Sequence, residues 1–379
     1  VADVSAGFSY EVLAASGRAR RGRLRTPHGV VETPAFMPVG TLGAVKGTAP
    51  EQVAGTGTQV VLANTYHLLV RPGAEVVSAL GGLHRFMGWD GTILTDSGGY
   101  QVFSLASLRR VDDEGVLFQS HVDGAEIHLT PELAMRTQNL LGGDIVMVLD
   151  ECPPLPAQRE AVEQAVARTL AWAGRCRAAH ERADQALYGI VQGGLDVGLR
   201  ERCLAGLEAI GFDGYALGGL SVGEPPERMY ALLEAFADTL PADRPRYLMG
   251  VGTPRDLVRA VGAGVDQFDC VLPTRNGRKG YAFTSGGAVR LRNACHRVCE
   301  SPLDAACRCY TCGRFSRGYL RHLIMVGEVL GSVLVSLHNI HFYQSLMCQM
   351  REAIERDAFD AWRSAFERSP ACIGARSDE

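Results

Sequence analysis

The sequence predicts an α/β protein, specifically a (β/α)8 TIM barrel with a Cys-rich subdomain inserted near the C-terminus. Three observations support this: eight short apolar, β-branched runs; amphipathic helical patterns between them; and a Cys/Arg-rich segment where that rhythm stops. In order, the runs are Val31–Val39, Gln59–Asn64, Thr92–Asp96, Ile145–Asp150, Leu187–Gln192, Gly214–Gly218, Tyr247–Gly250 and Gln267–Leu272. Continuous apolar runs alternating with helices are the pattern of parallel strands buried on both faces. An open doubly wound sheet is the alternative, but the first strand–helix junction, Pro38-Val-Gly-Thr-Leu-Gly43, is not a dinucleotide fingerprint.

Helix starts are expected at Thr48-Ala-Pro-Glu51, Thr130-Pro-Glu-Leu133 and Thr253-Pro-Arg-Asp256, where threonine caps and proline occupies the first turn. Before the first strand, Tyr10–Ser16 and Gly22–Thr26 read as a small hairpin plugging the barrel's bottom. A second hairpin, Gly115–Ser120 with Glu126–Thr130 turning through Asp123-Gly124, interrupts the third unit. The chain reads as one catalytic domain over 1–379, with the insertion at about 293–345 and a final amphipathic helix at about 336–368.

Composition, at 46% hydrophobic and 21% charged residues, is that of an ordinary globular protein. No membrane span is expected, because the best apolar stretch, Leu323–Leu337, is short and interrupted by Glu328. The amino terminus has no basic region leading into an apolar core, so a cytoplasmic location is expected. Eleven cysteines, an odd number in a large chain, favour thiols or metal ligands over disulfides, with Cys176, Cys203 and Cys348 expected in the core. Net charge is −4, yet Thr274 to His322 holds ten Arg or Lys against Glu300 and Asp304. A basic region on an acidic body results.

In such a barrel the carboxyl ends of the strands share one face, where polar groups converge. Those ends carry Asn64, Asp96, Asp150, Gln192, Gly218-Gly219, Met249-Gly250 and Asp269. One Asp after a strand is ordinarily a helix cap; several at equivalent positions are not. Asp96 lies in Thr95-Asp-Ser-Gly-Gly-Tyr-Gln101, whose glycines let backbone N–H groups approach a ligand and whose Tyr100 offers a stacking face. Paired carboxylates suit glycosyl chemistry, one attacking the anomeric carbon while the other manages protons. Asp150 matches the N–H edge of a guanine-like base, and Gln192 with the N–H groups of Gly218-Gly219-Leu220 matches its carbonyl. These residues alone also fit a sugar hydrolase.

Cys307-x-Cys309-x2-Cys312 followed by His338 has the donors of a closed tetrahedral structural zinc (Zn2+) site. His341, one turn on, competes as fourth ligand, and Cys295 and Cys299 are weaker competitors. Basic residues in Thr274–Gly280, together with Arg308, Arg314, Arg317 and Arg321, flank this cluster. A charge run is usually a solvated face, but beside Asp269 and the cysteines it favours a polynucleotide substrate.

Across essentially its whole length the sequence resembles the tRNA-guanine transglycosylases. The resemblance rests on Asp96-Ser-Gly-Gly-Tyr-Gln-Val-Phe-Ser-Leu105, Met147-Val-Leu-Asp-Glu-Cys-Pro153, Gly189-Ile-Val-Gln-Gly-Gly194, Leu217-Gly-Gly-Leu-Ser-Val-Gly-Glu224, Phe268-Asp-Cys-Val-Leu-Pro-Thr-Arg275 and the Cys3His set. It implies Asp269 as a nucleophile bonding to ribose and Asp96 as acid/base residue. The implied base site is Asp96, Ser97, Gly98, Gly99, Tyr100, Asp150, Cys152, Gln192, Gly219, Leu220 and Met249, with Tyr100 and Met249 sandwiching the base. The implied anticodon contacts are Gly250, Val251, Gly252, Thr253, Pro254, Arg255 and Asp256, and Thr274, Arg275, Asn276, Gly277 and Arg278.

The substrate implied is the wobble guanine of tRNAs with a GUN anticodon, turned out of its stack and replaced by 7-aminomethyl-7-deazaguanine (preQ1) on the route to queuosine. Val222 and Cys152 follow the bacterial pattern rather than the queuine-using eukaryotic one, while Ser221 departs from the alanine of many bacterial members. The chain ends soon after its final helix, unlike archaeal members with further RNA-binding domains, and the family is commonly homodimeric through the zinc region. A queuine-inserting enzyme, a barrel glycoside hydrolase and a non-catalytic tRNA-binding subunit are the competing readings. The last would have lost carboxylates that this chain retains at Asp96, Asp150 and Asp269.

Overall fold

A computed structural model describes residues 7–105, 109–120 and 122–373. The eight expected runs are the eight strands of a closed parallel barrel: Ala35–Gly40, Val60–Ala63, Thr92–Thr95, Ile145–Met147, Ala186–Val191, Gly214–Leu217, Arg246–Leu248 and Gln267–Cys270. Closure comes from the eighth strand pairing with the first, in a register that sets Asp269 opposite Met37. The strands are buried on both faces, by helices outside and by inward side chains such as Met37, Tyr188 and Tyr247.

The expected first run, Val31–Val39, divides at Pro34, which has no N–H to donate to a ladder. Its first half, Gly29–Thr33, joins Ser9–Ser16 and Ala19–Thr26 in a three-stranded antiparallel sheet, so the expected hairpin gains a strand. That sheet closes the amino ends of the barrel strands. Arg20, buried in it, donates through Nε to Asp266 (3.1 Å), just before the eighth strand, and to the carbonyls of Ala242 and Arg244. Thr26 Oγ1 meets Thr92 Oγ1, at the start of the third strand, at 2.8 Å. With the bottom sealed, the pocket can open only at the carboxyl ends.

Val116–Gln119 and Glu126–Leu129 form the expected second hairpin, extended by Arg109–Val111. Thr130 and Thr253 cap their helices as expected, whereas Thr48 turns its hydroxyl to Val45 O and Ala49 takes the cap position. The expected helix over 336–368 is two helices, Val329–Glu355 and Phe359–Glu367. Asp357, at φ 50°, ends the first in the left-handed region, and Ala358 N bonds back to Ala353 O. Asp357 Oδ1 also accepts Ser16 Oγ at 2.8 Å, which holds the break in place. At the other end the helix starts earlier than expected because the preceding helix, Arg317–Val326, stops at left-handed Gly327.

Cys176 and Cys203 are buried as expected, but Cys348 is exposed. On the long helix Leu346, Met347 and Met350 face the core, and the 100° step turns Cys348 outward. The long helix crosses the short helix Leu272–Arg278 so closely that a Cβ on Gly277 would lie 2.6 Å from Ser336 N. Among the described residues no helix is long and apolar enough to cross a membrane.

Candidate active site and metal centre

Strand ends deliver the three carboxylates. Asp96 directly follows the third strand, Asp150 follows the fourth after two residues, and Asp269 lies within the eighth; all three are buried. Asp96 accepts Thr65 N at 2.8 Å, Gln101 Nε2 at 2.8 Å and the amide of Asn64. Asp269 Oδ1 accepts Tyr247 Oη at 2.6 Å and Gly250 N at 2.7 Å. Asp150 accepts Gln192 Nε2 at 2.7 Å and Ser97 Oγ at 3.4 Å.

Desolvation dominates the electrostatics. Burial pushes the carboxyl of Asp96 up to about 6, against its hydrogen bonds, and the nearby Asp269 adds to the rise. Burial likewise pushes Asp150 up to about 6 and raises Asp269. Asp96 and Asp269 are thus electrostatic neighbours, and Asp96 is poised to exchange a proton at about pH 6.

The second half of the pocket is amide-rich. Gln192 packs so tightly on the turn after the sixth strand that a Cβ at Gly218 would lie 2.6 Å from its Nε2, and Gly219 takes φ +65°. Only glycine suits that turn. Gln192 Oε1 is buried without a hydrogen-bond partner among the described residues. Cys152 and Leu220 are buried there, and burial pushes the Cys152 thiol up to about 12, with the Asp150 charge adding to it. Ser97, Gly98 and Gly99 bring backbone under this group, since a Cβ on Gly99 would meet Asp150 O at 3.0 Å. Tyr100 is exposed at 51% and Met249 is half-buried, so both are available at the mouth.

Sequence reasoning missed two contributors. Tyr247, an inward strand residue, reads as core but donates to Asp269; its alternation with Met249 was the available signal. Arg200 is fully buried, with Nε on Gly194 O, Nη1 on Val191 O and Nη2 on Gly218 O, so one guanidinium ties the ends of the fifth and sixth strands. Burial lowers its pKa to about 10. No sequence pattern signals such a role for an arginine in a helix.

The two candidate RNA segments flank Asp269 in different ways. Gly250 donates to it, Val251, Gly252 and Pro254 are buried, and Asp256 caps its helix by accepting Thr253 N at 2.7 Å, while Arg255 is half-buried. In the other, Thr274 and Gly277 are buried, Asn276 and Arg278 half-buried and Arg275 exposed. Arg278 Nη1 is buried without a partner among the described residues. Farther along, Arg317 holds the carbonyls of Pro302 and Leu303 and Arg321 that of Asn293, so both side chains also tie the local fold.

Cys307, Cys309, Cys312 and His338 converge as a cluster that could hold a metal ion. Their Sγ atoms lie 3.8, 3.5 and 3.3 Å from His338 Nδ1. A tetrahedral ion about 2.3 Å from sulfur and about 2.0 Å from nitrogen needs S···N edges of about 3.5 Å, so the donor set fits. His338 Nε2 bonds to Phe283 O at 2.8 Å, orienting the ring as metal-binding imidazoles require. His341, Cys295 and Cys299 stand outside the cluster.

Fold and pocket together define a barrel enzyme with carboxylate and amide chemistry at the carboxyl ends of its strands. A sequence profile described as "Queuine tRNA-ribosyltransferase" matches residues 15–371. The chain is 56% identical over 359 residues to the queuine tRNA-ribosyltransferase of Azotobacter vinelandii, covering 95% of this chain and 97% of that protein. It is also 56% identical over 348 residues to that of Nitrosomonas eutropha (92% and 96% covered), and 55% identical over 361 residues to that of Syntrophobacter fumaroxidans (95% and 97% covered). The chain belongs to the queuine tRNA-ribosyltransferase family and is a pentosyltransferase.

Proposed function

We propose that this enzyme exchanges the wobble guanine of tRNAs with a GUN anticodon for preQ1, through a covalent bond between Asp269 and the ribose, in queuosine biosynthesis. The observation that carries the reading is the geometry of Asp269. Both its hydrogen bonds converge on Oδ1, leaving Oδ2 as the attacking oxygen, with Asp96 as electrostatic neighbour. As Oδ2 bonds to C1′, the C1′–N9 bond breaks and Asp96 delivers a proton to the departing guanine. The incoming base then gives its N9 proton to Asp96 and attacks C1′, breaking the ester and restoring the Asp269 carboxylate.

Asp150 accepts from the base N–H edge, while Gln192 and the N–H groups of Gly219 and Leu220 meet its carbonyl; Tyr100 and Met249 sandwich the rings. Arg275 and the Nη1 of Arg278, without a partner among the described residues, supply phosphate contacts beside the pocket, supporting an anionic polymer rather than a free sugar. Zinc fills the Cys3His cluster as a structural ion, since four protein donors leave no open position. Residues 1–379 act as one catalytic domain in the cytoplasm. A homodimer uses the apolar residues Met325, Val326, Val329 and Leu330, exposed beside the metal centre.

PreQ1 is preferred to queuine because Cys152 and Val222 follow the bacterial pattern, and the buried Cys152 thiol lies by Asp150, Gln192 and Gly219. The test is incorporation of labelled guanine, preQ1 and queuine into tRNA lacking the modification. Entry of guanine and preQ1 with queuine rejected is expected; efficient queuine entry would make this a queuine-inserting enzyme, and release of free base with no incorporation would make it a hydrolase.

A further inference from the structure

At the sealed end of the barrel, far in the fold from the pocket, three residues from separate elements meet. His28 sits in the turn between Ala19–Thr26 and Gly29–Thr33, His84 in the short helix Gly82–Met87, and Asp144 just before the fourth barrel strand. His28 Nδ1 lies 2.6 Å from Asp144 Oδ1 and His84 Nε2 lies 3.1 Å from Oδ2. The two imidazoles stack at 3.5 Å between centroids, 16° from parallel. One ligand atom from each residue lies within 4.8 Å of the others.

We infer that His28, His84 and Asp144 form a second metal site, taking a borderline divalent cation such as zinc, nickel or cobalt and clamping the plug sheet to the barrel base. Two imidazoles and one carboxylate are the donor set that such ions prefer, whereas calcium and magnesium seek oxygen donors alone. Asp144 is rigidly presented, since Oδ2 also accepts Ile93 N at 2.8 Å and Asp144 N donates to Ile93 O at 2.8 Å. Accessibility is graded: the Asp144 side chain is 1% exposed, His84 14% and His28 42%, so an ion enters from solvent on the His28 side and keeps water there. For both ring nitrogens to lie about 2 Å from one ion with their lone pairs converging, exposed His28 must swing out of its stack on His84. Each ring nitrogen that now faces the carboxylate is the one an ion would engage.

The proposal is tested on the purified protein with its Cys3His cluster filled, titrated with Ni2+ by calorimetry and by thermal melting. The expected result is one further equivalent of Ni2+ per chain and a Tm rise of about 3 °C or more at saturation, both lost in His28→Gln and in His84→Ala. Zn2+ should compete for the equivalent. His28→Gln lies in a half-exposed turn, so it reports even where His84→Ala fails to fold. Base exchange should be unchanged in His28→Gln, because the site is at the opposite end from Asp269. No second equivalent, or one retained in His28→Gln, overturns the proposal and leaves the three residues as a hydrogen-bonded cluster only.

Discussion

The carboxylate pocket and the Cys3His module handle buried charge in opposite ways. In the pocket, Asp96, Asp150 and Asp269 are taken out of water with hydrogen-bond donors but, among the described residues, no cation beside them, and their proton affinity rises. In the module, three cysteines and a histidine face one another across a space sized for an ion. The pocket spends stability on reactivity, whereas the module draws stability from an ion. Removing a charge should therefore damage chemistry in the first and folding in the second.

The sharpest test is Asp269→Asn, which should lower base exchange about 10³-fold or more while Tm holds or rises, since a desolvated charge is removed. Labelled-guanine exchange together with denaturing gels for a tRNA–protein adduct measures it; exchange within tenfold of the parent would unseat Asp269 as nucleophile. Next, Cys309→Ser or exhaustive chelation should release the metal and lower Tm by about 10 °C or more, with residual folded protein still exchanging base. Metal analysis beside a melting curve decides this, and normal metal content with normal Tm would erase the contrast.

Arg200→Met tests the frame behind the pocket. It strands the carbonyls of Val191, Gly194 and Gly218, which predicts a loss of about 2–4 kcal/mol in denaturant unfolding and a higher KM for the free base than for tRNA. The smallest effect concerns pH. Folded-state pKa values raised to about 6 mean that Asp96 and Asp150 contribute stability present below their unfolded values near 4 and lost as pH rises through 6. Unfolding at pH 5 and pH 8 should differ by on the order of 1–2 kcal/mol on this account, and Asp150→Asn should shrink the difference. Exchange should follow a bell, needing Asp269 ionised and Asp96 protonated, and its alkaline limb should fall as pH rises through about 6 and Asp96 loses the proton it delivers; a flat profile would contradict the burial argument.

Much of this was legible because barrel strands are continuous apolar runs whose last residues are polar, so Asn64, Asp96, Asp150 and Gln192 announce both a strand end and a site. The Cys3His spacing was readable for a similar reason, since thiolate ligands crowd within one turn. What stayed hidden depends on three-dimensional accounting. Arg200 and Tyr247 sit in ordinary helix and strand patterns, and only the carbonyls and carboxylate they meet reveal their roles. Division of the expected final helix at Asp357 was equally invisible, because its cause, Ser16, lies at the other end of the chain. Arg317 and Arg321 show the limit of a charge count: Nε and Nη2 of the first and Nε of the second hold local carbonyls, contacts that no spacing announces.

The bond from Ser16 to Asp357 has company: Arg21 Nε reaches Glu355 at 2.8 Å, Arg351 reaches the carbonyl of Pro34 at 2.8 Å, and Gln344 reaches that of Phe36 at 3.0 Å. Residues before and within the first barrel strand are therefore docked by a helix that comes about three hundred residues later. A ribosome would have to release that helix before the first barrel strand could acquire its outer cover, so the barrel stays open on this side until the helix is made. Until then the nascent amino-terminal half would keep an apolar flank available to chaperones.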